Sequence, residues 1–600
     1  MGKMDKIAVL DFGGQYAHLI ANRIRRLGVF TEIVSPDAPL SVFDAFRAFI
    51  FSGGPHSVNE PERPGFNEAI LYIGRPILGI CYGHQLICNA LGGEVLSGHI
   101  REFGKSVLAQ TADCPIFKGL GKEETVWMSH GDTVTRLPEG FEIVGSTKDC
   151  RSAAVMNRQK GIFGFQFHPE VTHTPSGMTL LDNFLTFAGL KKEWNMSRYL
   201  EQVEKNVKEK VGKRDVFLLV SGGVDSTVAF ALLNRILGEE RVLGLHIDNG
   251  LMRLGETADI ESYMKAQAFH NLRIADYSDT FLNRLAGVDE PEQKRRIIGD
   301  TFIDVQREEL ERLKLDPEKW ILAQGTIYPD TIESGSTRHS AVIKTHHNRV
   351  PVIEEMIRQN RIVEPLADLY KDEVRELGET LGLNRELIWR HPFPGPGLGV
   401  RTLCAKGTPL HGKASDIDKA AALAQEKGYS LYTLPLRSVG VQGDFRTYAM
   451  PAAVEGEKNW DKIGDLSTEI TNTVRALNRV VFSLARKGND RFILHEAYLT
   501  RKRLDILRRA DDFCTRFLRQ CGLYDKIWQM PVVLLPCGYH DLKESLVLRP
   551  VSSSEAMTAD FTRMSFPLLD ELVRELISMP EIAAVFYDVT NKPPGTIEWE

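Results

Sequence analysis

The stretch Val216-Phe217-Leu218-Leu219-Val220-Ser221-Gly222-Gly223-Val224-Asp225-Ser226-Thr227 decides the fold of the central part of this chain. The five apolar residues 216–220 predict a strand buried on both faces, as in a parallel sheet. The apolar residues from Val228 onward predict a helix, and the two glycines allow a tight turn before it. A buried strand that turns directly into a helix is typical of an α/β fold with a parallel sheet.

The turn between this strand and this helix predicts an anion site. Backbone N–H groups at a helix N-terminus bind phosphate oxygens, and the hydroxyl side chains add donors. A P-loop would need a lysine after the second glycine, where Val224 and Asp225 stand, and the turn does not form a GxGxxG dinucleotide motif. A carboxylate in an anion site is expected to hold Mg²⁺ on a pyrophosphate, so Asp225 is the candidate metal ligand. The expected ATP-binding residues of the turn are Ser221, Gly222, Gly223, Val224, Asp225, Ser226 and Thr227.

Two further strand candidates, 242–247 and 320–323, continue this alternation of strands and helices. Each ends in a polar turn that contains glycine, DNG at 248–250 and QGT at 324–326. Ligands of such sheets bind at the carboxyl ends of the strands, so we expect Gly325 to contact ATP as well. The alternative is that either segment is an ordinary surface turn.

Four apolar runs in the first third, 7–10, 48–51, 76–80 and 161–167, alternate with helical stretches and predict another α/β domain. Cys81 follows the third run directly, has glycines on both sides and precedes a predicted helix, as in a nucleophile elbow. The dipole at a helix N-terminus favours a thiolate, which attacks a carbonyl carbon better than a thiol does. Cys81 is therefore a candidate nucleophile.

A base and an anion-stabilising turn accompany this cysteine. His168 follows the fourth run, and Glu170 lies two residues on, which suits a Cys-His-Glu triad in which the carboxylate orients the imidazole. Gly53 and Gly54 follow the second run, and their N–H groups with that of Tyr82 predict an oxyanion hole. Taken alone, a free cysteine is more often a small buried apolar residue.

The motifs GICYGHQ (79–85), SGGP (52–55) and FQFHPE (165–170) resemble class I glutamine amidotransferases over about residues 5–197. The resemblance implies that this part hydrolyses glutamine through a thioester and passes ammonia on. The segment WMSHGD (127–132) is similar to the glutamine-side loop of these domains, which makes Gln85 and Asp132 the expected substrate contacts. The alternative is that 127–132 is a surface turn.

SGGVDS (221–226) resembles the signature of the N-type ATP pyrophosphatases, which implies cleavage of ATP between the α and β phosphates and transfer of AMP. Two basic segments follow it. PEQKRRIIG (291–299) places three cations at the start of a predicted helix, which indicates either an anionic ligand or a solvated basic face. In IKTHH (343–347) the adjacent histidines point to different sides and lack a third metal ligand, so Lys344 is the expected phosphate contact there.

A glutaminase joined to an adenylating domain implies one reaction, in which ATP activates an acceptor oxygen as its AMP ester and ammonia displaces AMP. The motifs HPFPGPGL (391–398), RSVGVQGDFRTY (437–448) and NKPPGTIEWE (591–600) resemble the glutamine-hydrolysing GMP synthetase family, and the resemblance covers essentially the whole chain. It implies a ligase that aminates xanthosine 5′-monophosphate (XMP) to GMP through an adenyl-XMP intermediate. ATP, Mg²⁺ and glutamine would be used, and AMP, pyrophosphate and glutamate released.

The XMP contacts of that family fall on matching residue types of this chain. Cations suit the 5′-phosphate, and carboxylates and an amide suit hydroxyls and base edges. After the histidine pair, however, this chain reads NRVP (348–351) where shorter family members read NVGGLP, which leaves the contacts of that lid open. The implied XMP-binding residues are Arg295, Asp444, Gln529, Lys592 and Glu598.

The resemblance implies three parts: a class I amidotransferase domain (5–197), a Rossmann-like ATP pyrophosphatase domain (198–397) and an α+β dimerisation-type, XMP-binding region (398–600). In the last part LYTLP (431–435) and NRVVF (478–482) have counterparts in VVLLP (532–536) and AVFY (584–587). This pattern predicts a duplication with subdomains at about 398–490 and 491–600, although any two α+β segments align this loosely. Because the longer family form packs its extra subdomain within one chain, a monomer is favoured, with a homodimer as the alternative.

The composition excludes several other classes of protein. With 43% hydrophobic and 26% charged residues the chain is not wholly disordered, and 74 Lys+Arg against 80 Asp+Glu (net −6) argue against a nucleic-acid-coating protein. We find no apolar stretch near the roughly 20 residues of a membrane span, no signal peptide, and Lys6 where a myristoylation signal needs Ser or Thr. The 8 cysteines form no CxxC pair. We expect a cytoplasmic enzyme whose partners are ATP, XMP and glutamine, without nucleic acid or membrane.

Three other functions share parts of the pattern. An NAD-forming or asparagine-forming amidotransferase is one, although asparagine formation usually places the catalytic cysteine at the extreme N-terminus, where this chain has Gly2. A tRNA-thiolating enzyme would want sulfur-carrying cysteines and a basic surface. A regulatory nucleotide-binding protein without catalysis is opposed by the presence of Cys81, His168 and Glu170.

Overall fold

The computed structural model of this protein describes residues 4–14, 16–316, 318–330, 359, 361–407, 413–442, 445–488, 491–539, 541–552 and 559–600. Their contacts divide the chain into two compact units. Unit 1 contains the described residues up to 206 and two short later segments, 326–330 and 367–373; unit 2 contains the others. Within these ranges, no helix is long and apolar enough to cross a membrane.

Unit 1 is an α/β unit built on nine strands. These are β1 Lys6–Leu10, β2 Phe30–Val34, β3 Ala48–Phe51, β4 Ile77–Ile80, β5 Glu94–Gln110, β6 Glu123–Arg136, β7 Glu142–Ser146, β8 Ala154–Asn157 and β9 Ile162–Phe165. Its helices are α1 Ala17–Arg26, α2 Leu40–Phe43, α3 Tyr82–Ala90 and α4 Gly177–Phe187, while α5 Met196–Val211 contains the boundary with unit 2. The sheet order is β2-β1-β3-β4-β9-β8-β7-β5-β6. The strands from β2 to β9 in this order pair in parallel, so β3, β4 and β9 end side by side.

The first sheet of unit 2 is parallel throughout. Its strands are β10 Asp215–Leu219, β11 Val242–Asp248, β12 Leu272–Asp276, β13 Trp320–Ala323 and β14 Ile362–Val363, in the order β12-β11-β10-β13-β14. The associated helices are α6 Val224–Leu237, α7 Glu256–Ala266, α8 Ser278–Arg284, α9 Pro291–Leu313, α10 Lys371–Thr380, which contains a unit boundary, and α11 Arg385–Ile388. The central strand β10 has its neighbours on either side from different crossovers, and the crevice at such a position receives ligands in α/β folds.

The second sheet of unit 2 is the duplicated region. Its helices are α12 Ala414–Glu426, α13 Trp460–Thr473, α14 Arg501–Gln520 and α15 Phe566–Ser578. The strands in chain order are β15 Ala405–Lys406, β16 Ser430–Thr433, β17 Ser438–Gln442, β18 Phe445–Glu455, β19 Leu477–Arg486, β20 Ile493–Leu494, β21 Glu496–Ala497, β22 Val532–Leu535, β23 Cys537–Gly538, β24 Glu544–Leu548, β25 Val551–Ser552, β26 Asp560–Phe561 and β27 Ile582–Asp588. The main sheet runs β16-β18-β19-β27-β24-β22, with β17 paired to β18.

The topology of this sheet repeats itself about its centre. In the first half α12 precedes β16, β16 is antiparallel to β18, and α13 leads to β19, which is parallel to β18. In the second half α14, β22, β24, α15 and β27 take the same places with the same pairing. The halves join through the antiparallel pair β19·β27. The predicted duplication is therefore confirmed in the topology, and each motif pair of the sequence occupies equivalent strands.

Two later segments of the chain fold with unit 1 around Arg25 of α1. The guanidinium group lies over the rings of Tyr328 and Tyr370, with its carbon 4.5 and 5.1 Å from their centroids, and over Trp194 at 5.5 Å. Its Nη1 is 3.2 Å from Glu373 Oε2, whose other oxygen accepts a hydrogen bond from the Trp194 indole at 2.6 Å. This buried cation was not expected from the sequence, because its partners lie more than a hundred residues away along the chain.

A buried charge cluster holds the two halves of the duplicated sheet together. Asp588 at the end of β27 accepts hydrogen bonds from Arg479 on β19 at 2.7 Å and from Arg549 at 3.1 Å. All three side chains are inaccessible to solvent. Burial alone would raise the pKa of Asp588, but the guanidinium groups of Arg549 and Arg479 outweigh it and lower the pKa. The indole of Trp599 also donates to Asp588, at 2.9 Å, so residues near position 600 are attached to the same cluster.

Replacing Asp588 by alanine should lower the free energy of unfolding of unit 2 by about 3–5 kcal/mol, because two buried cations lose their counter-ion. Denaturant unfolding followed by circular dichroism measures the loss. The matched control is Asp570→Ala, which breaks an exposed ion pair with Lys458 (2.5 Å) and should cost less than about 1 kcal/mol. Equal losses in the two variants would contradict a structural role for the buried cluster.

Candidate active sites

Cys81 lies on a strained turn between β4 and α3. Its φ of 52° and ψ of −107° place a non-glycine residue in a sparsely populated region, which costs of order 1–3 kcal/mol. The following Gly83 packs on the strand behind it, where a Cβ atom would lie 2.3 Å from the carbonyl oxygen of Phe51. The turn thus presents the Cys81 sulfur at the N-terminus of α3, where the helix dipole favours a thiolate.

His168 and Glu170 are adjacent to this cysteine. His168 Nδ1 is 2.7 Å from Glu170 Oε1, and both side chains are buried. Burial would lower the pKa of His168, but the Glu170 carboxylate and a hydrogen bond with Cys81 raise it well above its ordinary value. An imidazole with a raised pKa retains its proton and stabilises a neighbouring thiolate. The three residues that sequence reasoning grouped as a triad therefore lie together.

The glycine pair after β3 borders the same site. A Cβ atom on Gly53 would lie 3.3 Å from His168 Cε1 and 3.7 Å from Cys81 Cβ, so the backbone passes directly beside both side chains. On Gly54 a Cβ atom would lie 2.8 Å from the carbonyl oxygen of Phe12 and 3.3 Å from the Tyr82 ring. Only glycine fits at Gly54 without displacement of backbone, and both positions bring peptide groups close to the nucleophile.

The predicted glutamine-side residues lie on the other side of Cys81. Gln85 Nε2 donates to the carbonyl oxygen of Asp132 at 2.9 Å, and the Asp132 carboxylate accepts from Ser57 Oγ at 2.5 Å. The Cys81 thiol is 3.6 Å from the carbonyl oxygen of Ser129. Gln85 and Asp132 are thus close to the nucleophile, and the segment 127–132 is part of β6 rather than a free surface turn.

The turn 221–227 of unit 2 has the shape of an anion-binding loop. Helix α6 begins at Val224, and the loop before it contains Gly222 at a φ of 79°. Ser221 Oγ accepts from the Gly223 N–H at 3.2 Å and lies 3.1 Å from Ser226 Oγ. The hydroxyl groups of Ser221 and Ser226 therefore lie side by side at the start of the helix, next to N–H groups that the helix leaves unpaired.

Gly325 and Asp225 belong to this loop in the structure. A Cβ atom on Gly325 would lie 3.1 Å from the Ser226 nitrogen and 3.3 Å from the Asp225 carbonyl carbon, so the turn after β13 packs directly on the loop. Asp225 is in the first turn of α6. Its carboxylate and the two serine hydroxyls are oxygen donors, the type that Mg²⁺ prefers. The donor set thus fits a magnesium ion held jointly with phosphate oxygens.

A cavity of about 520 Å³ in unit 2 lies beside the loop. Gln529, Arg390 and Arg401 line it, and Gln529 Nε2 donates to the carbonyl oxygen of Pro392 at 2.8 Å. Burial lowers the pKa of Arg390, and Asp225 of the loop is among the carboxylates that oppose this. The cavity is therefore within electrostatic reach of the loop and offers guanidinium groups to an anionic ligand. Arg390 and Arg401 were missed, although they flank the HPFPGPGL motif closely.

Two of the expected XMP contacts are engaged by partners inside unit 2. Both Glu598 oxygens accept hydrogen bonds from Arg401, at 2.8 and 3.1 Å. Arg295 Nη2 donates to the backbone oxygen of Glu600. The neighbouring Lys294 is fully buried and pairs with the Glu600 carboxylate. The cations at the start of α9 thus have an anionic partner from the same chain, which neither alternative of the sequence analysis included.

The remaining predicted residues divide into one that is described and two that are not. Lys592 has a pKa lowered by burial and by Arg549, and its backbone N–H donates to Ala559 at 2.8 Å. A cation beside another cation suits an anionic ligand that would neutralise both. Asp444 and Lys344, with the lid segment 348–351, lie outside the described residues.

The chain matches three family profiles in succession. They are glutamine amidotransferase class-I over residues 8–187, NAD synthase over 196–291, and GMP synthase C terminal domain over 516–599. The first contains Cys81 and its neighbours, and the second contains the loop 221–227. The third contains Gln529, Lys592 and Glu598.

Curated relatives are similar to this chain over its whole length. A probable glutamine-hydrolysing GMP synthase from Leptospira interrogans serovar copenhageni is 47% identical over 603 residues, covering 99% of each chain. The glutamine-hydrolysing GMP synthase of Clostridium acetobutylicum is 37% identical over 613 residues, covering 100% of each. The solved structure of a GMP synthase subunit from Thermoplasma acidophilum is 32% identical with a TM-score of 0.29, covering 34% of this chain and 100% of that one.

Glu170→Gln should lower the pKa of His168, because the carboxylate is the strongest of the groups that raise it. The imidazolium then loses its proton at lower pH, so the alkaline limb of the rate of Cys81 alkylation by iodoacetamide should move to lower pH. Mass spectrometry of the Cys81 peptide measures these rates. Glu193→Gln, which breaks an exposed ion pair with Arg198 (3.0 Å), is the control and should leave the profile unchanged. A Glu170→Gln profile that coincides with that of the unmodified protein would refute the assigned role of Glu170.

Proposed function

The chain belongs to the family of glutamine-hydrolysing GMP synthases, and from that premise we propose that it aminates XMP to GMP with ATP and glutamine. The observation that carries the proposal is the presence of two reaction centres in one chain. One is a cysteine nucleophile beside a base, and the other is an anion-binding loop beside a cavity lined by arginines. Each centre suits one half of the reaction.

The first half is hydrolysis of glutamine in unit 1. The Cys81 thiolate adds to the amide carbon of glutamine, and the oxyanion that forms is held by N–H groups of Gly53, Gly54 and Tyr82. The His168 imidazolium, oriented by Glu170, gives its proton to the departing nitrogen, which leaves as ammonia. Water, losing a proton to His168, then adds to the thioester carbon, and the bond to sulfur breaks to release glutamate. Gln85 and Asp132 hold the substrate in this scheme.

The second half takes place in unit 2. The loop 221–227 and Gly325 bind the phosphates of ATP, and the C2 oxygen of XMP attacks the α phosphorus, so that pyrophosphate leaves. Ammonia then adds at C2, and AMP leaves with the oxygen that it activated. Magnesium, when bound, would neutralise charge on the pyrophosphate. We assign Asp225 to hold it, together with the hydroxyl groups of Ser221 and Ser226.

We assign XMP to the region of unit 2 where Gln529, Glu598 and Arg295 lie. Gln529 borders the cavity, Glu598 is held by the cavity residue Arg401, and Arg295 contacts Glu600. Lys592, with its lowered pKa, would gain from an anionic phosphate. Lys344 on the ATP side and Asp444 on the XMP side complete the assignment from the family resemblance.

The test is to incubate the protein with ATP, Mg²⁺ and XMP, once with glutamine and once with an ammonium salt, and to measure AMP and GMP by chromatography. We expect equal amounts of both products with either nitrogen source, and no AMP when EDTA replaces Mg²⁺. Absence of AMP with both nitrogen sources would refute XMP as the acceptor. AMP release that continues in EDTA would refute the role of the metal.

Cys81→Ala should abolish the glutamine-dependent reaction and leave the ammonia-dependent reaction unchanged, because only the first half uses the thiolate. Cys114→Ala is the matched control, since it removes a buried cysteine of the same unit and should retain both reactions. Loss of the ammonia-dependent reaction in a folded Cys81→Ala protein would contradict the assignment of the two halves to two separate centres.

We propose that the protein acts as a monomer, with a homodimer as the alternative. The strands β19 and β27, which would form free edges if the two halves were separate, pair with each other inside the chain. Light scattering should therefore give a mass near 67.4 kDa, whereas twice that mass would support the homodimer. The expected cytoplasmic location remains a prediction, which cell fractionation tests.

A further inference from the structure

Gln166 lies between the nucleophile and the glutamine-side loop of unit 1. It follows β9, and its side chain is completely buried. The side-chain nitrogen Nε2 is 3.8 Å from Cys81 Sγ, a distance that suits a hydrogen bond to the large sulfur atom. The side-chain oxygen accepts a hydrogen bond from Gln85 Nε2 at 3.2 Å. Gln166 thus contacts the reacting atom on one side and a predicted substrate contact on the other.

The direction of the Gln166 amide is determined by its neighbours. The carbonyl oxygen of Asp132 can only accept, so the Gln85 group that lies 2.9 Å from it must be the nitrogen. The second hydrogen of that nitrogen is directed to Gln166, which must present its oxygen. The Gln166 nitrogen therefore faces the sulfur, and the amide can act only as a donor to Cys81.

A donor in this place acts on the nucleophile itself. An N–H group directed at sulfur stabilises the thiolate relative to the thiol, and burial of the pair strengthens the interaction. The amide does not titrate, so its effect persists at every pH, unlike that of His168. We propose that Gln166 is a further catalytic residue of the glutaminase centre, which donates a hydrogen bond to the Cys81 thiolate. This proposal rests on the proposed function of unit 1.

The decisive variant is Gln166→Met, which keeps the length of the side chain and removes the donor. A hydrogen bond to a charged group is worth about 1.5–3 kcal/mol, which corresponds to a shift of about one to two pH units. The acid limb of the rate of Cys81 alkylation by iodoacetamide should therefore move up by about that amount. The kcat for glutamine hydrolysis should fall about tenfold or more, while ammonia-dependent GMP formation stays unchanged.

Gln110→Met is the matched control. Gln110 belongs to the same unit and donates to the carbonyl oxygen of Gly121 at 2.6 Å, near the surface. It should change neither the alkylation profile nor either activity. A merely structural role of Gln166 would lower the amount of folded protein but would leave the pH dependence of alkylation where it is.

Gln166→Glu provides the answer if the methionine variant does not fold. An ionised carboxylate cannot donate and repels the thiolate, so the acid limb should again move to higher pH. An unchanged limb in a folded Gln166→Met or Gln166→Glu protein overturns the proposal. Alkylation needs no substrate, so this result is distinct from failure of the proposed function, which would appear as absence of glutamine hydrolysis in the unmodified protein.

Discussion

The junction at which a buried parallel strand turns directly into a helix is the constraint on which both proposed reaction centres depend. The first N–H groups of a helix have no partner within it, and they carry the positive end of its dipole. In unit 1 this position holds Cys81 after β4, and in unit 2 it holds the loop 221–227 after β10. One geometry therefore favours a thiolate in one unit and a phosphate in the other. Glycines at both junctions let the backbone pass where a side chain would collide.

The charged groups around these junctions are held in place by buried partners. Glu170 keeps His168 protonated in unit 1. In unit 2 Arg401 holds Glu598, and the Asp588 cluster attaches the segment that carries it through the Trp599 indole. Separating such a pair in a water-excluded environment leaves an uncompensated charge, which is costly. The positions of these groups are thus set by the same interactions that stabilise the fold.

The parts of the sites that could be predicted from the sequence are those in which the residues lie within one motif. Cys81 with its flanking glycines, and the loop 221–227, were identified because strand, turn and helix follow one another along the chain. Gln166 was missed although it lies two residues before His168, because a glutamine in a strand-like run carries no chemical signal by itself. Ser57, Arg390 and Arg401 were missed because what they contact is decided by packing. The pairing of Arg295 with Glu600 joins residues about three hundred positions apart.

The sequence by itself determined the order of the parts, the two strand-to-helix junctions and the duplication of the last part, since each is a local pattern of apolar residues, glycines and turns. Only the tertiary structure decided which distant side chains meet. It placed 326–330 and 367–373 around Arg25 in unit 1, paired β19 with β27, and directed the Gln166 amide at the sulfur. The physical reason is that buried polar groups must find partners wherever the packed chain brings them, and a periodic pattern records which face is buried but not what it will touch.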